Sequence, residues 1–235
     1  NRLSHVFNLK GPSEVVDTAC SSFIAAIQRA RHAFERGDCK QAIVATATLN
    51  LSSKELTQED LTGIYSKSGN TKSFSEDSDG FVRSEAIGTI VVKPLEEAKT
   101  AGDYIYGVIK GVGVYHGGKS PLKWNSPNIK GQKKAIEKAL ESAMIDPTTI
   151  DYVEAEANGV SFVDTSEMVS IQNVYGNYLK NSDNATDKKI YIGSSKPLMG
   201  HAEASSTFPC LLKLLASFQK EKLFGVNGLT EINKG

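Results

Sequence analysis

The chain has 235 residues, with 27 Lys and Arg against 27 Asp and Glu, enough length for a sizeable core as one large domain or two closely packed halves. A formal net charge of zero with no basic stripe argues against a nucleic-acid partner, and no apolar run approaches membrane-spanning length. Three widely spaced cysteines, Cys20, Cys39 and Cys210, fit a reducing, cytoplasmic setting with neither a disulfide framework nor a metal cluster.

In chain order, residues 1 to 12 read as a helix end and a turn closing at Gly11-Pro12. Residues 14–19 predict a strand and 20–36 a helix. Phe23, Ala26, Ile27, Ala30 and Phe34 recur at helical steps, and Gly37 supplies the stop. Gln41 to Ala47 is short, apolar and partly β-branched, which suits a strand covered on both faces. Leu51 to Ser78 turns polar and reads as a long irregular excursion. Ile87 to Val92 predicts a strand and Leu95 to Thr100 a short helix. Tyr104 to Tyr115 predicts a long β segment, in which Gly107, Gly111 and Gly113 mark a bend or bulge.

The second half repeats the alternation. Lys130 to Met144 predicts an amphipathic helix with Ala135, Ile136, Ala139, Leu140 and Ala143 on one face, broken at Asp146-Pro147. Asp151 to Ala155 predicts a strand, Asp164 to Tyr175 a helix, Ile190 to Gly193 a strand, and about Ala202 to Gln219 a last helix. Pro209 either kinks that helix or lies in its first turn. Such alternation argues for an α/β layered fold.

Cys20 ends the first apolar segment where the helical pattern begins. A cysteine at such an elbow lies beside the unpaired N–H groups of the helix's first turn, which favour the thiolate and can hydrogen-bond an oxyanion. A lone cysteine is more often structural, but Val15-Val16-Asp17-Thr18-Ala19-Cys20-Ser21-Ser22 is more than a lone cysteine.

The segment Asp17 to Ser22 resembles the nucleophile motif of the β-ketoacyl synthases, the condensing domains of polyketide and fatty acid synthases. Asp79-Gly80-Phe81-Val82-Arg83-Ser84-Glu85-Ala86 is similar to that family's Asp-Gly-(aromatic)-Val-Arg-Gly-Glu-Gly segment. Lys196-Pro197-Leu198-Met199-Gly200-His201-Ala202-Glu203-Ala204 is similar to its Lys-Ser-Asn-Ile-Gly-His-Leu-Glu-Ala block. The resemblance spans nearly the whole chain. It implies a thiolase-like fold of two similar halves in a layered α-β-α-β-α arrangement, with a seam near Gly102. Residues 1–102 would carry the nucleophile and 103–235 would form the C-terminal half. It also implies that the chain is a portion of a larger domain.

In this family a nucleophilic cysteine works with two histidines, which donate hydrogen bonds as a malonyl-type extender loses carbon dioxide. The resemblance assigns Cys20 as nucleophile, His201 as the second histidine, and Lys196 as the residue that balances charge around it. The first histidine belongs in a Glu-Ala-His-Gly-Thr-Gly-Thr loop that ends at an Asp and a Glu. Here the loop reads Glu154-Ala155-Glu156-Ala157-Asn158-Gly159-Val160, with Asp164 and Glu167 at the expected distances, so Glu156 stands at the histidine position. An ionised carboxylate there opposes both the extender's carboxylate and the enolate; a protonated one still donates.

Acyl transfer through Cys20 makes smaller demands. The resemblance is therefore to the non-elongating ketosynthases of assembly lines with free-standing acyltransferases. A condensing enzyme that tolerates Glu156, or a non-catalytic dimer scaffold, are the alternatives. Expected partners are acyl carrier protein domains, whose phosphopantetheine brings the substrate, a second copy in a homodimer, and neighbouring polyketide synthase domains, with no cofactor of its own. Asp79 to Glu85 lacks calcium-loop spacing and is expected to be structural. His5, His32 and His116 carry no motif. Lys119, Lys123, Lys130, Lys133 and Lys134 form a loose basic patch that an acidic carrier protein would suit.

Overall fold

The computed structural model describes residues 1–51, 63–119, 126–180 and 188–233. Much of the polar excursion and Lys123 of the basic patch lie outside the described residues. Helix α1 (Arg2–Val6) comes first, and α2 (Ser22–Glu35) follows the segment that bears Cys20. Helix α2 buries Phe23, Ala25, Ile27, Ala30 and Ala33, so its inward face turns slightly from the expected one and leaves Phe34 half-buried. It ends as the glycine predicts. Gly37 sits at φ +74°, its N–H bonds Phe34 O at 3.0 Å, and Asp38 N–H bonds Ala33 O at 2.9 Å.

Strands β1 (Ala42–Thr48) and β2 (Ala86–Val92) pair antiparallel, with Val44 opposite Ile90. Phe23, Ile27, Ala30, Val44 and Val112 form the first core cluster, joined by Phe208 and Leu211. The other face of this sheet is open, since Ile43, Ile87 and Val91 are exposed. The expectation of a strand covered on both faces fails here because no described layer lies on that side. Helix α3 (Leu95–Ala101) closes on Gly102.

Two predicted strands are absent as strands. Residues 12–17 make no ladder, and the segment's pairing is a single bridge between Thr18 and Cys20. Residues 104–115 also run without strand pairing. A β-rich sequence becomes a strand only when a neighbouring strand exchanges hydrogen bonds with it, and none of the described strands pairs with either segment. The glycines of the second segment serve a different end from a bulge. A Cβ on Gly111 would stand 2.4 Å from Ala139 O, and one on Gly113 would stand 2.1 Å from Ala135 O. They let the backbone lie directly on helix α4 (Ile129–Ala143).

Helix α4 starts at Asn128, whose side chain accepts from Gly131 N–H. It stops at Met144, left-handed at φ +52°, before Asp146-Pro147 is reached; that pair instead opens the 3₁₀ turn Pro147–Thr149. Strand β3 (Tyr152–Glu154) pairs in parallel with β4 (Tyr191–Gly193). Between them lie α5 (Ser161–Ile171), a π-helical turn Gln172–Gly176, and α6 (Asn177–Lys180). Helix α5 starts three residues before its expected position. Phe74, Ala155, Ala157 and Ile171 form the second core cluster.

Helix α7 (Lys196–Met199) leads to the 3₁₀ turn Glu203–Ser205 and then to α8 (Thr207–Lys220). Pro209 is the third residue of α8, inside its first turn, where its missing N–H is harmless. The single helix expected from Ala202 is thus a 3₁₀ turn followed by a helix. Phe208 meets Phe23 edge to face at 5.6 Å, which docks α8 on α2.

Candidate active site

The elbow at Cys20 is built from its own side chains. Asp17 Oδ1 accepts Ala19 N–H at 3.0 Å, and Ser22 Oγ accepts Thr18 N–H at 2.9 Å while donating to Ala19 O at 2.6 Å. Ala19 is held left-handed at φ +54°, a conformation that a residue with a Cβ adopts only when its surroundings fix it. The result leaves the Cys20 side chain exposed at the surface. Ser206 Oγ, just before α8, donates to Cys20 O at 3.4 Å and ties the elbow to the second half.

His201 stands beside Cys20, and the thiol interacts with its ring. The imidazole is held from three sides. The backbone N–H of His201 donates to Val82 O at 2.8 Å, and its backbone C=O accepts Ser84 N–H at 3.1 Å. The Phe81 ring stacks on it with centroids 4.5 Å apart. Glu203 N–H donates to Nδ1 at 3.1 Å, so Nε2 carries the ring proton of the neutral form. Glu203 is in turn fixed by Arg83 at 2.8 Å. The Asp79 to Glu85 segment is structural, as expected, and its structural task is to seat His201. Sequence reasoning missed Phe81, Arg83 and Glu203 as contacts of this ring; the aromatic position inside the motif was the available signal.

Glu156 reaches the same nitrogen. Its Oε1 lies 2.8 Å from His201 Nε2, and its Oε2 lies 3.2 Å from Lys196 Nζ. Lys196 is 1% exposed and also donates to Ser206 O at 3.4 Å and Cys210 Sγ at 3.5 Å. Part of the Glu156 side chain reaches solvent, but Oε1 is shut off from it. Burial opposes ionisation of Glu156, yet His201 and Lys196 outweigh it and hold the carboxyl below its ordinary range. Burial likewise lowers the affinity of His201 for a proton, but Cys20 and Glu156 beside the ring raise its pKa to about 9. Lys196 is raised against its own burial by Glu156.

The loop that presents Glu156 hangs on two carboxylates. Glu167 accepts the N–H groups of Glu156 and Ala157, each at 2.8 Å. Asp164 accepts Gly159 N–H at 3.2 Å and Phe74 N–H at 2.9 Å. Burial raises Asp164 to about 6 and Glu167 to about 7, against the lowering effect of those hydrogen bonds. Ser73 Oγ donates to Ala157 O. At the loop's far end Gly80 N–H bonds Gly159 O at 2.8 Å, so the two loops meet at two glycines. A Cβ on Gly159 would stand 2.7 Å from Gly80 O.

Cys20, Glu156, Lys196 and His201 therefore converge, while Cys39 lies elsewhere, half-buried beside the segment 12–16. Cys210 packs under Lys196, buried, with its thiol pushed up by desolvation. Among the described residues no group of three or more His, Cys, Asp or Glu side chains could hold a metal ion. None of the described helices is long and apolar enough to cross a membrane.

Comparison with known proteins agrees with this arrangement. The family description "Beta-ketoacyl synthase, N-terminal domain" matches residues 1–98, and "Beta-ketoacyl synthase, C-terminal domain" matches residues 106–228. The chain belongs to the β-ketoacyl synthase family. This ketosynthase is 37% identical to polyketide synthase PksR of Bacillus subtilis, over 99% of the chain and 9% of that protein. It is 38% identical to polyketide synthase ThaG of Burkholderia thailandensis, over 99% of the chain and 4% of that protein.

Among solved structures, the ketosynthase domain OzmH KS7 of Streptomyces albus JA3453 superposes with a TM-score of 0.93 at 31% identity, covering all of this chain and 39% of that one. The ketosynthase from module 6 of the bacillaene synthase of Bacillus subtilis gives 0.91 at 31% identity, over 99% of this chain and 40% of that one. The chain thus has the thiolase-like ketosynthase fold and spans about two-fifths of these solved ketosynthase chains.

Proposed function

We propose that this ketosynthase belongs to a modular polyketide synthase and transfers acyl groups through Cys20 without condensing them. The carrying observation is the Glu156 carboxylate, 2.8 Å from His201 Nε2 at the position of the first catalytic histidine. The names of PksR and of the bacillaene ketosynthase support the polyketide assignment.

Acyl loading needs one nucleophile. The Cys20 thiolate attacks the carbonyl of a thioester brought on the phosphopantetheine arm of an acyl carrier protein. A Cys20 Sγ–C bond forms, the C–S bond to pantetheine breaks, and the proton lost by Cys20 ends on the departing thiol. His201, beside the thiol, is the residue placed to relay that proton. Handing the chain on reverses these steps. Lys196 balances the charge of Glu156.

Condensation needs more. Decarboxylation of a malonyl group builds an enolate, and the donors around it must strengthen as negative charge grows. With Glu156 ionised, one donor is replaced by an anion that lies 2.8 Å from His201 Nε2. Loss of one such donor typically costs about 10²–10³ in rate. A dimer, carrier-protein docking and the neighbouring synthase domains complete this proposal, as does a boundary between halves near Gly102.

The test is intact-protein mass spectrometry of the full-length protein, offered an acyl-carrier thioester and, separately, malonyl-carrier protein. Acyl mass on Cys20 with carbon dioxide near background is expected. Robust carbon dioxide release by the unmodified protein would falsify the non-condensing assignment and support the condensing one.

A further inference from the structure

The cationic groups at this site have little left to offer an incoming anion. The three donors of Lys196 face Glu156 Oε2, Ser206 O and Cys210 Sγ. His201 Nε2 lies 2.8 Å from Glu156 Oε1, and its ring stands beside Cys20. Arg83, the next nearest cation along the chain's motif, is paired with Glu203 at 2.8 Å. The carboxylates of Asp164 and Glu167 lie behind the Glu156 loop and bond its backbone. Glu156 is thus a resident carboxylate that engages both nearby cations, with Asp164 and Glu167 behind its loop.

We infer that Glu156 makes the loading of Cys20 selective for acyl groups uncharged near the thioester, and that it rejects chains bearing a carboxylate a few bonds from the carbonyl. This rests on the assignment of Cys20 as the acyl acceptor. The physics is that of a half-buried site where one resident carboxylate already engages both Lys196 Nζ and His201 Nε2. A second anion brought within a few ångströms meets a like charge, must compete with it for the same two cations, and loses water. An uncharged chain of the same length loses only weakly held solvent.

The experiment uses a matched pair of probes, the succinyl and methyl-succinyl thioesters of N-acetylcysteamine, which share a chain and differ in one negative charge. Loading of Cys20 is followed by intact mass on the full-length protein, and the ratio of the two initial rates is the readout, so a general loss of activity cancels. In each transfer Cys20 gains the acyl group, N-acetylcysteamine leaves as the free thiol, and nothing is oxidised.

The parent is expected to favour the methyl ester by about tenfold or more, a margin that one unscreened charge readily supplies. In Glu156→Gln the ratio is expected to fall several-fold toward one. A parent ratio near one overturns the inference, and it needs no variant to fold. A large ratio that persists unchanged in Glu156→Gln also overturns it, because discrimination then lies elsewhere. Carbon dioxide release from malonyl-carrier protein, measured in parallel, reports on the non-condensing assignment alone, so the two can fail separately.

Discussion

At the scale of single residues, the proposal divides the site into Cys20, which would take the acyl group, His201, which would relay its proton, and several residues that hold them. Cys20→Ala is expected to abolish acyl loading, since Cys210 is buried and Cys39 lies away from His201. Loading of the alanine variant at the parent's rate, seen by intact mass, would move the acceptor to Cys39 or Cys210. Glu156→His restores a donor at the position of the developing charge. It is expected to raise decarboxylation of malonyl-carrier protein measurably, at equal Cys20 occupancy. Recovery should be partial, because Ala157 at φ +37° and Gly159 set the loop's path. No rise above the parent would mean that the loop, rather than the charge of Glu156, blocks the reaction.

Cys20, Glu156, Lys196 and His201 were legible in the sequence because each lies in a contiguous motif. The stacking of Phe81 and the Arg83–Glu203 pair were not, since they join segments that only folding brings together.

At the scale of elements, helices α2 and α4 were readable because their periodicity reports a buried face, and β1 and β2 were readable as strands though not as an antiparallel pair. The predicted strands at 14–19 and 104–115 were not. Strand propensity names a residue's preference, whereas a strand exists through its neighbour. Met144 ended α4 by a left-handed turn that no glycine or proline announced.

The loop bearing Glu156 also makes a pH prediction. Asp164 and Glu167 titrate at about 6 and about 7 in the folded chain, above their ordinary values. The fold therefore keeps protons that the unfolded chain gives up. The stability these acids contribute is present below about pH 4 and is lost as pH rises through 6 to 7. His201, raised to about 9, acts in the same sense and loses its contribution at higher pH. Asp164→Asn removes one of these groups. Its urea midpoint should lie below the parent's, and the gap should narrow as pH rises from about 5 to about 7. A gap that widens over that range would show that the folded acid is not raised.

At the scale of the whole molecule, the open face of the β1–β2 sheet and the unpaired segment 12–17 are the clearest signs that more structure belongs beside them. Val15 is 96% exposed, and Ile43, Ile87 and Val91 are bare on the adjoining sheet. Edges of this kind are normally covered. A homodimer that pairs Glu14 to Ala19 across a two-fold axis would supply a strand partner for the first. Sedimentation of the full-length protein at micromolar concentration should report a dimer; a monomer would count against that pairing.

The nucleophile and its partners come from different halves of the sequence, and His201 is bridged directly to Arg83 in the first half. The stretch 103–110 that joins the halves is exposed throughout. Continuity of the peptide chain is therefore a separate matter from integrity of the active centre. A protease cut within that stretch should yield two fragments that travel together on a sizing column and still accept acyl groups. The chemistry would then belong to a complementing pair, with neither fragment active by itself.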